Sequence, residues 1–210
     1  MPLPLIIGGA VVVALAGAGV VGSGLSVKNV KGKSVLIVGP SGSGKTSLVR
    51  IFGDNELVVR PSSKERWAKR AARLVDLELK VTSTDTPGGS GGIEAIRSGA
   101  SQADLICLVV SASALDASDG WEDPARIAKL IGQVAGAKTQ CAIVLSHADA
   151  LSDDELSALV KSPTVLNLLD LTGARVLRPC DLTNRSTWRE TTEALLGALK
   201  PQRRSREDRS

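Results

Sequence analysis

Nine consecutive residues, Gly39-Pro40-Ser41-Gly42-Ser43-Gly44-Lys45-Thr46-Ser47, have the types and spacing to hold a polyphosphate. They fit the pattern G-x-x-x-x-G-K-[ST] without a mismatch. A triphosphate needs many N–H donors aimed inward from a tight loop, and Gly39, Gly42 and Gly44 let the backbone wrap closely. Ser41, Ser43 and Ser47 complete the cradle. Lys45 is placed to reach the β- and γ-phosphates, and the Thr46 hydroxyl to ligate Mg²⁺. A second signal lies forty positions after Lys45, in Asp85-Thr86-Pro87-Gly88. An acidic residue at a strand end can hold Mg²⁺ opposite a phosphate loop, and a glycine N–H three residues on can sense a γ-phosphate.

These residues need elements to carry them. The apolar run 34–38 reads as a buried strand, and residues 46–52 follow as the first turns of a helix whose N-terminus attracts phosphate. Residues 77–84 alternate apolar and polar, so a half-buried strand is expected to run into Asp85. A helix is expected at 93–100 and a doubly covered parallel strand at 105–110. A helix at 124–134 with Pro124 in its first turn comes next, then a buried strand at 141–145. Ser152 and Glu155 form a capping box for a helix at 152–161. A strand at 174–177 and a helix at 187–199 close the domain. Strand and helix alternate throughout. The expected fold class is α/β, three layers around a mostly parallel six-stranded sheet.

The ends of the chain read differently. Residues 1–27 carry no charged side chain, and 3–25 are mostly Leu, Ile, Val, Ala and Gly. As a helix this run would span about 30 Å, a bilayer core, and it reads as one transmembrane helix. A cleaved signal peptide or a buried core helix are the rival readings. Lys28, Lys31 and Lys33 follow directly, which places the rest of the chain on the cytoplasmic side. Ala10, Ala14, Ala18 and Gly22 make a small-residue stripe. The organisation is thus an anchor at 1–27, a basic linker at 28–33, one domain at 34–200 and a polar, disordered tail at 201–210. The stretch 53–73, basic around Trp67, reads as a solvated flexible loop or as a surface for anionic lipid or a partner.

Composition narrows the classes. The 210 residues carry a net charge of +4 with 2% aromatics, and the basic residues are scattered, so no nucleic-acid surface is expected. Three cysteines, Cys107, Cys141 and Cys180, fall in or beside expected strands without close spacing. They fit a reducing compartment and small core residues, not a disulfide framework or a zinc site.

The phosphate loop, the Asp85–Gly88 element and their spacing resemble those of Ras-like small GTPases over residues 34–200. An N-terminal span before such a domain is similar to the signal recognition particle receptor beta subunit and to membrane-associated bacterial GTPases. The resemblance implies GTP and GDP as ligands, Mg²⁺ as cofactor and a protein partner or activator. It implies Lys45, Thr46, Asp85 and Gly88 as catalytic residues, with Thr46, Asp85 and Ser63 toward the metal. For switch one, Ser62 and Ser63 are the nearest candidates. The guanine-reading motif N-K-x-D is replaced by Ser146-His147-Ala148-Asp149. Asp149 keeps the guanine-pairing role, and His147 can cover a face of the base. The last family motif is replaced by Cys180-Asp181-Leu182, which would give backbone contacts only. Gly89 stands where many members have the glutamine that orients the attacking water, which implies slow intrinsic hydrolysis. A nucleotide-binding pseudo-GTPase serving as a docking module, and a kinase or transporter ATPase of other base preference, are the competing readings.

Overall fold

The computed structural model describes residues 12–13, 30–54, 56–59, 70–73, 80–85, 90–116 and 122–199. In chain order the strands are β1 (Val12–Val13), β2 (Ser34–Gly39), β3 (Glu56–Val59), β4 (Arg70–Arg73), β5 (Lys80–Asp85), β6 (Leu105–Ser111), β7 (Gln140–Ser146) and β8 (Val176–Pro179). The helices are α1 (Lys45–Asp54), α2 (Ser90–Ala100), α3 (Ala112–Asp116), α4 (Glu122–Val134), α5 (Asp153–Val160), α6 (Pro163–Thr172) and α7 (Arg185–Gly197).

One sheet runs β1-β8-β7-β6-β2-β5, and every pairing in it is parallel. The domain supplies five of these strands, not the six expected, because β3 and β4 pair only with each other, antiparallel. The sixth place is taken by two residues from the N-terminal run, Val12 opposite Val176 and Val13 opposite Leu177. A continuous helix over 3–25 therefore does not hold at Val12 and Val13. They are β-branched, which suits a pleated surface. The outer edge of β8 offers them a row of unpaired backbone groups. The rest of that run lies outside the described residues, and among the described residues no helix is long and apolar enough to cross a membrane.

The strands are buried on both faces, as their continuous apolar runs require. Alternate residues feed two cores. Leu36, Val38, Ile106, Leu108, Ile143 and Leu145 pack beneath α2, α4, α5 and α6. Val35, Ile37, Cys107, Val109, Ala142 and Val144 pack beneath α1 and α7, against Leu48, Ile51, Phe52, Leu195 and Leu196. All three cysteines are buried and free, as expected of core residues. Burial pushes the Cys141 thiol up to about 11 and lifts Cys107 further.

Several boundaries match the sequence. Ser152 caps α5, its Oγ accepting from the Glu155 N–H while the Glu155 carboxylate accepts from the Ser152 N–H at 2.8 Å. Two helices, α3 and α6, are additional to those expected. The segment 53–73 is not simply a loop, since it contains β3 and β4. The expected strand at 77–84 is seen from Lys80 to Asp85, and residues 77–79 lie outside the described residues.

Candidate nucleotide site

The chain runs from β2 outward to β5, then returns to the other side of β2 for β6. The crevice above the C-terminal ends of β2 and β6 is therefore the switch point of the sheet, where open α/β sheets bind ligands. The loop from Gly39 to Gly44 sits there. At Gly39 the backbone passes so close to β6 that a Cβ would strike the Val109 carbonyl. Gly44 has φ +89, a left-handed value, and a Cβ there would come within 2.6 Å of Leu182 Cδ1. Only glycine fits either place.

Lys45 opens α1 and is buried, its ammonium donating to the Pro40 carbonyl at 2.6 Å across the loop. Thr46 and Ser47 are exposed in the first turn of α1, as are Ser41 and Gly42 in the loop. Ser43 is buried, and its hydroxyl has no hydrogen-bond partner among the described residues. The β2–β5 register sets Asp85 opposite Gly39, at the level where the phosphate loop begins. Ser62, Ser63, Gly88 and Gly89 lie outside the described residues, so the switch-one and γ-phosphate assignments rest on the sequence.

The donor set fits magnesium carried in with phosphates. Mg²⁺ takes hard oxygen ligands, keeps several waters and binds through one or two protein groups beside substrate phosphates. The Thr46 hydroxyl beside the loop and Asp85 at its root are such groups. Among the described residues there is no cluster of three or more His, Cys, Asp or Glu that would make an all-protein cage.

Two more loops close on the phosphate loop. After β7, Ser146 is wholly buried, and its Oγ donates to the Ser43 carbonyl at 2.7 Å. The same oxygen lies 3.2 Å from the Val110 carbonyl and 3.1 Å from His147 Nδ1. His147 has φ 54, and both it and Asp149 are exposed. Asp149 sits in the 3-10 turn Ala148–Ala150. After β8, the Cys180 N–H donates to the Leu145 carbonyl at 2.8 Å, which ties this loop to β7. The Cys180 thiol lies 3.2 Å from Thr191 Oγ1, and burial raises its pKa, so it is no ready nucleophile. Asp181 is already engaged: Oδ1 accepts from the Thr183 hydroxyl at 2.6 Å and the Thr183 N–H at 2.8 Å. Those bonds hold its carboxyl below the usual range. Leu182 covers Gly44, and its carbonyl accepts from Trp188 Nε1 of α7 at 3.1 Å. The Arg185 guanidinium lies over the Trp188 ring, 5.3 Å from its centroid.

The structure thus brings together Gly39, Ser43, Gly44, Lys45, Thr46, Ser146 and His147, with Cys180 and Leu182 closing the far side. The work done by Ser146 and Leu182 was not readable beforehand. Ser146 meets Ser43 across 103 positions, and no local spacing announces such a pair.

No family model matches the chain, and no curated protein matches it. Solved structures do. An ADP-ribosylation-factor-like GTP-binding protein, the small COPII coat GTPase of Encephalitozoon cuniculi in complex with GDP, is similar at TM-score 0.54 and 14% identity, with 80% of each chain covered. Translation elongation factor SelB of Methanococcus maripaludis, in complex with a GTP analogue, is similar at TM-score 0.50 and 15% identity. That match covers 84% of this chain but 36% of SelB, so the chain spans about a third of the elongation factor. The architecture, the phosphate loop at the switch point and these likenesses together give the chain the fold of small P-loop GTPases.

Proposed function

We propose that this chain binds guanine nucleotides, hydrolyses GTP slowly and serves as a nucleotide-dependent switch for a protein partner. One observation carries the reading. The loop Gly39–Lys45 stands at the sheet's switch point with its glycines in conformations only glycine tolerates, and its lysine is folded over it. That geometry supports a β,γ-phosphate site at the N-terminus of α1. Asp149 is exposed beyond β7, which supports a base-reading role in which its carboxylate accepts from the guanine N1–H and 2-amino group. Adenine offers no donor at either position. Hydrolysis is in-line attack by water on the γ-phosphate, with Lys45 stabilising charge that builds on the transferring oxygens. Thr46 and Asp85 would hold Mg²⁺, which would supply positive charge against the charge that develops on the phosphates. Gly89 supplies no side chain to orient the water, so turnover by the lone chain is slow.

The reading extends to location. The uncharged stretch 3–25 and the lysines behind it support attachment to a membrane, in a state in which Val12 and Val13 have left the β8 edge, with the nucleotide domain on the cytoplasmic side.

Titration of the full-length chain with GTP and ATP tests the first part. GTP should bind more tightly, by about tenfold or more, since an unpaired carboxylate costs about 1–3 kcal/mol. Equal affinity for the two nucleotides would remove the guanine assignment, and binding of neither would remove the switch. Carbonate extraction tests the second part: full-length protein should stay with the membrane pellet.

A further inference from the structure

His147 is exposed, so packing does not hold its ring in place. Its backbone is left-handed, φ 54 and ψ 33, a region few non-glycine residues adopt, though histidine enters it more readily than most. The ring comes to rest against the preceding residue, with Nδ1 3.1 Å from Ser146 Oγ. That hydroxyl has two other neighbours, the carbonyls of Ser43 at 2.7 Å and Val110 at 3.2 Å. Carbonyl oxygens only accept. A serine hydroxyl has a single hydrogen, and the shortest contact shows that it points at Ser43. The remaining neighbour, Nδ1, must then be the donor, its N–H directed at a lone pair of Oγ.

The relay ends on a peptide that matters. The Ser43–Gly44 bond is trans, as there is no cis peptide among the described residues. In a trans peptide the C=O and the following N–H point in opposite directions. A carbonyl pinned outward by Ser146 turns the Gly44 N–H inward, toward the space the loop encloses. We propose that His147 is a positioning residue: through Ser146 it fixes the Ser43–Gly44 peptide and so aims the Gly44 N–H at a bound phosphate. This rests on the nucleotide reading for its ligand, but not for its hydrogen-bond order. The role differs from covering a base, because it acts on the phosphate end and needs no base at all.

Two measurements decide it. His147 is the single histidine in the chain, so its imidazole nitrogens give one unambiguous pattern in a ¹H–¹⁵N correlation of the labelled full-length protein. The relay requires the Nδ1–H tautomer, and that pattern is expected. A dominant Nε2–H form would overturn the relay whatever the variants do. The second measurement compares GTP with inorganic triphosphate, which has no base. His147→Ala should weaken both by the same factor, about three- to tenfold, the worth of one hydrogen bond. In a Ser146→Ala background the further loss of His147 should cost nothing, since the relay is already cut. A loss confined to GTP would make His147 a base contact and overturn the proposal, as would additive losses in the double variant. If wild type binds neither probe, the nucleotide reading fails and the phosphate role fails with it, while the tautomer still reports on the relay itself.

Discussion

Lys45 shows how far a single residue can be read. The sequence places its ammonium against phosphates, and the structure finds it folded onto the Pro40 carbonyl of its own loop. That bond gives a buried charge a partner and folds the ammonium back across its own loop. Lys45→Ala removes the only side-chain cation of the loop. Triphosphate affinity should fall about tenfold or more, measured by titration of the folded variant, and unchanged affinity would mean the loop does not grip phosphate. Asp149 gives the complementary prediction at the base. Asp149→Asn should weaken GTP binding and favour xanthosine triphosphate, because the amide meets a carbonyl where the carboxylate met an amino group. A variant that keeps the wild-type order of nucleotides would refute the pairing. Chemistry of this kind was visible in residue types. Less visible was Ser146, which looks like a poor substitute for an asparagine until its hydroxyl is seen to hold another loop.

Elements were legible where their end signals are local. Ser152 and Glu155 announce α5, and the alternation of apolar strands with polar helix starts announces the sheet. By the same logic α6 carries its own signals, Ser162 as N-cap, Pro163 in the first turn and Gly173 at the end. They were obscured by the leucines between them, which leave only a narrow polar stripe of Thr164, Asn167 and Asp170. The β3–β4 pair was hidden for another reason: Arg70 and Arg73 read as solvated charge, and only pairing with Glu56–Val59 makes a strand of them. At the base of the sheet, opposite the nucleotide end, one contact joins two strands. Asp104, before β6, accepts from Lys33 Nζ at 2.7 Å and from the Ser34 N–H at 2.9 Å at the start of β2. Partial burial works against its charge, but the Lys33 and Ser34 bonds outweigh it and hold its carboxyl below the ordinary value. A carboxylate depressed on folding adds stability above its unfolded pKa of about 3.9 and loses it as pH falls through the folded value. Asp104→Asn should therefore lower stability by about 1 kcal/mol near pH 7, a figure kept small because the pair is partly solvated. The gap should close once the pH has fallen through the folded value. Urea unfolding on either side of that value checks this, and an equal gap at each would assign the effect to packing.

At the scale of the molecule, strand order decides where chemistry can happen; the alternation of elements foretold a parallel sheet but not that order. The edge was not foreseeable either. A two-residue strand from the uncharged N-terminal run lies along β8, and local pattern cannot reveal which distant edge a short valine segment will meet. Backbone that pairs with β8 cannot at the same time be helical within a bilayer, so the two placements exclude each other. The Arg175 N–H donates toward β7, so by alternation the Val176 N–H faces the β1 edge; in detergent-free solution its hydrogen exchange should be slower in the full chain than in one lacking residues 1–27. Equal rates would show that the edge is open in both. On α7, which packs against β8, the indole of Trp188 is bonded to the carbonyl of Leu182, whose side chain lies against Gly44. The chain has three tryptophans, and the other two are Trp67 and Trp121. With those two changed to phenylalanine, its ultraviolet emission would come from one indole, two contacts away from the phosphate loop. The fold has placed a fluorophore where ligand entry can be watched as a change of colour, without a label.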